Sequence, residues 1–334
     1  MSFFRTKILG TGMCYPQRVF SNDDFAKIID TSDEWITERT GIKRRRFASL
    51  EGGEFPSDLA KGATEEALQN ANLKPNDIDL IIFATITPDY RLPSCATILQ
   101  TKLGITNQCA AVDIVAACSG FIYGVTMAHS MIQTGLIKRA LVVGAEMLSR
   151  EINLEDRASC ILFGDGCGVA IIGRNEDAND PSEILTTKIG ADGTGREFFQ
   201  QEYGGSANPF TPEVLQTSAR FMAMQGKEMF RVAVRTLTDI STSALEAANL
   251  KISDIHWFVP HQANIRIIEA TGNRLGVPAE KVIININEYA NTSAATVPTA
   301  FHGAVKAGQI KRGDLVLMSA FGAGLTAGSL VVRY

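Results

Sequence analysis

Long apolar runs are missing from this chain. No stretch reaches the ~18 consecutive apolar residues that a membrane-spanning helix needs. The nearest, Ala110 to Val125, is broken by Asp113 and contains Cys118-Ser119-Gly120. Met1 to Tyr15 lacks the long apolar core and the cleavage site of a secretory signal peptide. The expectation is a cytoplasmic protein with no membrane role. A basic surplus is also missing: 32 Lys and Arg against 36 Asp and Glu leave a net charge of −4. That balance argues against a nucleic-acid binder and still leaves room for a local basic patch that meets an acidic partner. The 6 cysteines, Cys14, Cys95, Cys109, Cys118, Cys160 and Cys167, form no C-x-x-C pair, and the 4 histidines are scattered. Structural zinc wants closely paired ligands, so no metal is expected. Most of the cysteines read as reduced thiols buried like small hydrophobes, with chemistry reserved for one or two.

What is present is an internal repeat. Ala67-Leu68-Gln69-Asn70-Ala71-Asn72-Leu73 resembles Ala244-Leu245-Glu246-Ala247-Ala248-Asn249-Leu250, 177 residues later. Both segments end a helix, turn, and enter an apolar strand, Leu80 to Ala84 and Trp257 to Val259. Gly135-Leu136-Ile137-Lys138-Arg139 likewise resembles Gly308-Gln309-Ile310-Lys311-Arg312 at an offset of 173. Two matches in one order favour duplication over chance. They predict an α/β chain of two halves, 1–174 and 175–334, each alternating strands and helices around its own sheet. At an offset of 173, Cys118 falls opposite Asn291.

Ala110 to Ala117 reads as a buried strand, and Ser119 to Thr134 as a helix closed by Gly135. Cys118 therefore sits between a strand end and a helix start. A nucleophile suits that place, because helix N-terminal amides favour the thiolate. A structural cysteine fits the position equally well. His261 follows the short strand that ends at Pro260, where a lone histidine is more often structural. Asn291, before Thr292-Ser293-Ala294-Ala295, also fits a helix N-cap. Thr31 and Glu34 have the spacing of a capping box. The run Lys43-Arg44-Arg45-Arg46 reads as a solvated loop. Phe321-Gly322-Ala323-Gly324 follows a strand and could turn a backbone N–H into a cavity.

Taken together, the segments Thr31-Ser32-Asp33-Glu34-Trp35-Ile36, Arg39-Thr40-Gly41-Ile42, Ala117-Cys118-Ser119-Gly120-Phe121, Pro260-His261-Gln262-Ala263-Asn264, Asn291-Thr292-Ser293-Ala294-Ala295 and Phe321-Gly322-Ala323-Gly324 closely resemble bacterial β-ketoacyl-acyl-carrier-protein synthase III over essentially the whole length. The resemblance implies a thiolase-like fold of two pseudo-symmetric α/β halves layered αβαβα, a homodimer, and a two-step acyltransferase reaction. A short acyl-CoA, acetyl-CoA by default, would acylate Cys118. Malonyl-acyl-carrier protein would then lose CO2 and condense with the acyl group, initiating fatty acid biosynthesis without a metal or redox cofactor. It implies His261 and Asn291 as the other catalytic residues, and the backbone N–H groups of Cys118 and Ala323 as the oxyanion hole. CoA contacts would fall on Thr31, Trp35, Arg39, Arg157, Gly226, Phe230 and Asn264, with Trp35 and Arg157 sandwiching the adenine. Leu92 and Phe321 would line the acyl pocket, Leu92 reaching across from a partner subunit, and Arg231 and Arg266 would dock the carrier protein. Leu92 stands where the family often has Phe, Ala323 where it often has Gly, and Ala327 where it often has Trp.

Three alternatives remain at this level. One is a specialised condensing enzyme for longer or aromatic acyl-CoA in secondary metabolism, kept open by Leu92 and Ala327. A second is a Cys-His-Asn thioester hydrolase, since the chain order matches that of papain-like enzymes, although their local signature is absent. The third is a non-catalytic module that binds the carrier protein.

Overall fold

The computed structural model describes residues 3–49 and 53–334. Its first sheet has five strands in the order Thr6–Cys14, Asp165–Arg174, Arg139–Met147, Leu80–Ala84 and Ala110–Ile114. The first two pairings are antiparallel and the last two parallel. The second sheet runs Glu183–Ala191, Thr326–Arg333, Leu315–Gly322 and Trp257–Pro260. It repeats the same sequence of antiparallel, antiparallel and parallel pairings. A parallel bridge from Phe258 to Val282 stands where a fifth strand would lie. The inner strands Leu80–Ala84 and Arg139–Met147 are apolar almost throughout and buried on both faces, as parallel strands covered by helices must be.

The helices make three layers around these two sheets. Gly120–Gln133 and Thr296–Lys306 lie between the sheets. Ile122, Val125 and Ile132 from the first, and Val297 and Phe301 from the second, pack with Ile82, Val142, Val316 and Val332 of the two sheets in one core. Pro56–Ala71 and Cys95–Lys102 cover the outer face of the first sheet, while Gly226–Ala247 lies over the second. This α-β-α-β-α layering is the thiolase-like fold. It brings the N-terminal ends of both middle helices to one place, so the turns Ala117–Ser119 and Ser293–Ala295 touch.

Three local readings change. Ala110–Ile114 is an edge strand with Val112 42% exposed, and Val115 just beyond it is 79% exposed; an apolar edge can await a partner as well as a core. The cap of the Asp33–Thr40 helix is Ser32, whose hydroxyl accepts the Trp35 N–H at 3.1 Å, and not Thr31. The basic run forms a short strand, Arg44–Arg46, whose alternation turns Arg45 fully inward. There its guanidinium donates to Asn22 Oδ1 at 2.8 Å and the Ile161 carbonyl at 2.7 Å, over the Phe25 ring.

Glycine is required where the Ser293–Ala295 turn meets the first sheet. A Cβ on Gly144 would stand 2.4 Å from the Ala294 carbonyl oxygen. Gly144→Ala should therefore cost about 1–3 kcal/mol through overpacking, read from the urea unfolding midpoint. An unchanged midpoint would show that the turn yields freely.

Candidate active site

Cys118 lies in a tight elbow. Ala117 before it is held at φ +44°, a left-handed conformation unusual for a residue with a side chain. The helix proper begins at Gly120, so Cys118 sits two residues ahead of its first turn. Gly322 allows the second sheet to approach here, since a Cβ on it would stand 2.6 Å from the Cys118 backbone nitrogen. The thiol is buried, which pushes its pKa up to about 12. Burial thus outweighs the positive helix end that favours the anion, and the free protein holds the group as S–H. The other five thiols are raised by burial as well, with no elbow around them.

His261 and Asn291 reach the same cavity as Cys118, a space of about 240 Å³ that also exposes Phe163 and Phe321. Their orientations are fixed from behind. Asn291 Oδ1 accepts the Ser293 N–H at 2.8 Å, leaving its amide NH₂ free of that bond. Its backbone is clamped by pairing with Leu162 and Gly164. His261 Nδ1 is 2.6 Å from Thr296 Oγ1. The Thr296 hydroxyl is also 3.0 Å from the Ser293 carbonyl, which already accepts the Thr296 N–H. Gln262 holds the loop, donating to the Pro260 and Ile283 carbonyls and accepting from the Asn285 N–H. Asn264 caps the next helix through the Arg266 N–H and donates to the Arg39 carbonyl at 3.1 Å.

The cavity runs outward past Trp35, Arg39, Gly226, Phe230 and Asn264. Arg39 and Arg157 stand over the Trp35 ring at 4.3 and 3.9 Å, within cation–π range. Arg157 lies directly on the ring and 3.7 Å from Asp30, so a base stacked between the two would have to displace it. Thr31 does not line the cavity, and its Oγ1 is buried without a hydrogen-bond partner. Arg231 and Arg266 are exposed on neighbouring helices, Arg266 donating to the Glu38 carbonyl.

A second space, about 330 Å³, opens on the other side of Cys118 between Val115, Ala323 and Met222. Leu92 is not brought to either cavity by this chain. It is 86% exposed and borders a separate surface hollow beside Val112 and Val115. The residues that sequence reasoning passed over are Thr296, Gln262, Ser293 and Glu146. Gln262 and Ser293 were in view only as parts of motifs. Glu146 had a signal of its own, an acid inside an apolar strand.

A buried thiol on a strained elbow, with a histidine and an amide facing the same tunnel, fits an acyl-transferring condensing enzyme of the thiolase-like fold. Residues 112–193 match the family model for 3-oxoacyl-[acyl-carrier-protein] synthase III, and residues 245–334 match its C-terminal counterpart. A β-ketoacyl-[acyl-carrier-protein] synthase III of Caldanaerobacter subterraneus subsp. tengcongensis is 47% identical over 327 residues, covering 98% of this chain and 97% of its own. The crystal structure of 3-oxoacyl-[acyl-carrier-protein] synthase III from Aquifex aeolicus superposes with a TM-score of 0.90 at 46% identity, covering 98% of this chain and 100% of that one. The priming β-ketosynthase from the R1128 polyketide pathway gives 0.90 at 34% identity, covering 99% of this chain and 96% of that one. The chain belongs to the β-ketoacyl-acyl-carrier-protein synthase III family.

Burial holds the His261 pKa down at about 3, from an ordinary 6.5. Between those values the unfolded imidazole binds a proton that the folded one refuses, so stability is lost as pH falls through that window and is complete above it. The His261 ring resonances should therefore stay flat by NMR from about pH 8 to about pH 5. A midpoint near the ordinary histidine value would contradict the buried, neutral ring.

Proposed function

We propose that this protein condenses a short acyl-CoA with malonyl-acyl-carrier protein by decarboxylative Claisen chemistry, giving 3-oxoacyl-acyl-carrier protein, CoA and CO2, and so initiates fatty acid synthesis. The observation that carries the reading is the meeting of Cys118, His261 and Asn291 at the inner end of one tunnel. Cys118 is the nucleophile that takes the acyl group. The backbone N–H groups of Cys118 and Ala323 receive the oxyanion of the acyl thioester. His261 and Asn291 donate to the malonyl thioester oxygen, which gains charge as CO2 leaves. That role needs the His261 proton on Nε2, and so the one Thr296 hydroxyl proton turned to Nδ1 at 2.6 Å and away from the Ser293 carbonyl at 3.0 Å. It needs the Asn291 NH₂ turned inward, which follows from its oxygen being taken by Ser293. Departure of CO2 supplies the carbanion, so the reading calls on no metal or redox cofactor.

Trp35, Arg39, Arg157, Gly226, Phe230 and Asn264 hold CoA at the tunnel mouth in this reading. Thr31 joins them only if its buried, unpartnered hydroxyl turns out of the wall to meet the ligand. Arg231 and Arg266 receive the acidic carrier protein despite the net charge of −4. The exposed apolar edge at Val112 and Val115, with Leu92 beside it, supports a homodimer in which Leu92 completes the partner's acyl pocket with Phe321. The repeated sheet order supports two duplicated halves meeting at residues 174 and 175. No helix among the described residues is long and apolar enough to cross a membrane, in keeping with work in the cytoplasm. A second reading, a specialised synthase for larger acyl groups, is favoured by the space of about 330 Å³ beyond Cys118. Rates across acyl-CoA lengths separate the two, and best use of acetyl-CoA removes the second.

The division of labour is testable by substitution. Cys118→Ser should abolish acyl transfer from CoA. His261→Ala should keep acylation while condensation falls ~10²–10³-fold, the usual cost of one lost oxyanion donor. Equal loss of both steps in His261→Ala would contradict the separate roles.

A further inference from the structure

The Arg139–Met147 strand is apolar along its buried length except for Glu146, which is 0% exposed. Four donors converge on its carboxylate. Thr87 Oγ1 lies at 2.7 Å, and Thr85 Oγ1, the Ile86 N–H and Ser293 Oγ each at 3.1 Å. Both threonine hydroxyls already accept a backbone N–H, Thr85 from Thr87 and Thr87 from Met147. The two hydroxyls also lie 3.4 Å from each other, a longer contact than either makes to Glu146. All four contacts run from donor to carboxylate oxygen, so the network fits the anion, while the hydroxyls keep lone pairs that can accept from Glu146 once it is protonated. Burial pushes the other way, to a pKa of about 7, the range of a base that takes and returns a proton near neutral pH.

Of these four donors, Ser293 also lines the space of about 330 Å³ beside Cys118, on a turn that touches the Cys118 elbow. From the cavity wall, Ser293 thus reaches back to Glu146 in the core of the first sheet. Two other proton acceptors line the cavities on either side of Cys118: His261 is buried where an imidazolium is strongly disfavoured, with Nδ1 engaged by Thr296, and Glu151 is held at 2.8 Å by the Gln201 amide.

We infer that Glu146 accepts the Cys118 proton during acyl transfer, with the Ser293 hydroxyl as the relay between them. The inference rests on the acyl-transfer reading above. The thiol S–H proton passes to Ser293 Oγ while the Ser293 proton passes to Glu146 Oε1. The sulfur lone pair attacks the acyl carbon, the CoA thiolate leaves with the electrons of the broken C–S bond, and Glu146 is left neutral. In condensation the malonyl carboxylate leaves as CO2, the resulting carbanion takes the acyl group, and Cys118 leaves as thiolate. It then recovers its proton from Glu146 along the same path. The CoA thiolate takes its proton from solvent, so the cycle closes with no further reactant. Ser293 faces the cavity of the reacting sulfur, whereas Glu146 acts through it as a positioning residue for the proton.

The test follows Cys118 acylation by acetyl-CoA in the full chain, by intact mass at short times, for the parent, Ser293→Ala, Glu146→Gln and the double variant. A relay predicts ~10²-fold slower acylation in each single variant and no further loss in the double, because the two act as one unit. Losses that multiply would overturn it. Alkylation of Cys118 by iodoacetamide gives a second reading that needs no acyl-CoA. The relay predicts slower alkylation in Glu146→Gln. A carboxylate acting only through its charge predicts the reverse, because that charge raises the thiol pKa. A parent that alkylates but is never acylated defeats the acyl-transfer reading, and the alkylation rates then decide the relay alone. If Glu146→Gln does not fold, Ser293→Ala decides, and acylation at the parent rate overturns the proposal.

Discussion

At Gly144 the first sheet lets the Ala294 backbone press against it, with a carbonyl oxygen 2.4 Å from where any Cβ would stand. That approach sets the depth of the Ser293–Ala295 turn, and the turn sets the site. Ser293 is the common anchor: its N–H orients Asn291, its carbonyl meets Thr296 behind His261, and its hydroxyl donates to Glu146 from the wall of the cavity beside Cys118. Its φ of +50° shows backbone strain held in place by this packing. On the facing side, Gly322 permits the same intimacy with the Cys118 nitrogen. Two glycines thus let two sheets close around one thiol.

Such closeness has an electrostatic consequence. A site between two sheets is poor in water, so each buried polar group needs a partner in the protein. The thiol and the imidazole both lie on the neutral side of their ordinary range, through burial. Neutral groups suit a tunnel that must admit a thioester and hold its developing charge for a moment with fixed donors. The cost is that the nucleophile begins protonated, which is why the carboxylate behind Ser293 matters to the chemistry.

Much of this was legible in the chain before folding. The offset between repeats placed Cys118 opposite Asn291, and both turn out to stand just ahead of the two middle helices. The strands Leu80–Ala84 and Trp257–Pro260 follow their repeated turns as the pattern demanded. What was illegible has physical causes. The exposed strand Ala110–Ile114 has the composition of a core strand, because an apolar face reads the same whether a core or a partner covers it. Thr31 and Ser32 are adjacent hydroxyls, and only backbone geometry selects Ser32 as the cap. Arg45 turns inward because Arg44–Arg46 is a strand, which three like charges in a row conceal. Glu146 was overlooked because its partners, Thr85, Thr87 and Ser293, come from separate segments that only the fold assembles.

The central claim is that Cys118 carries the acyl group between two substrates. The most direct measurement is intact-protein mass spectrometry after mixing with acetyl-CoA, with the adduct mapped by peptide digestion, followed by addition of malonyl-acyl-carrier protein. The account predicts a single acetyl group on Cys118 that disappears as 3-oxoacyl-acyl-carrier protein forms. An adduct that instead falls to free acid without the carrier protein, or no adduct from any acyl-CoA, would contradict it.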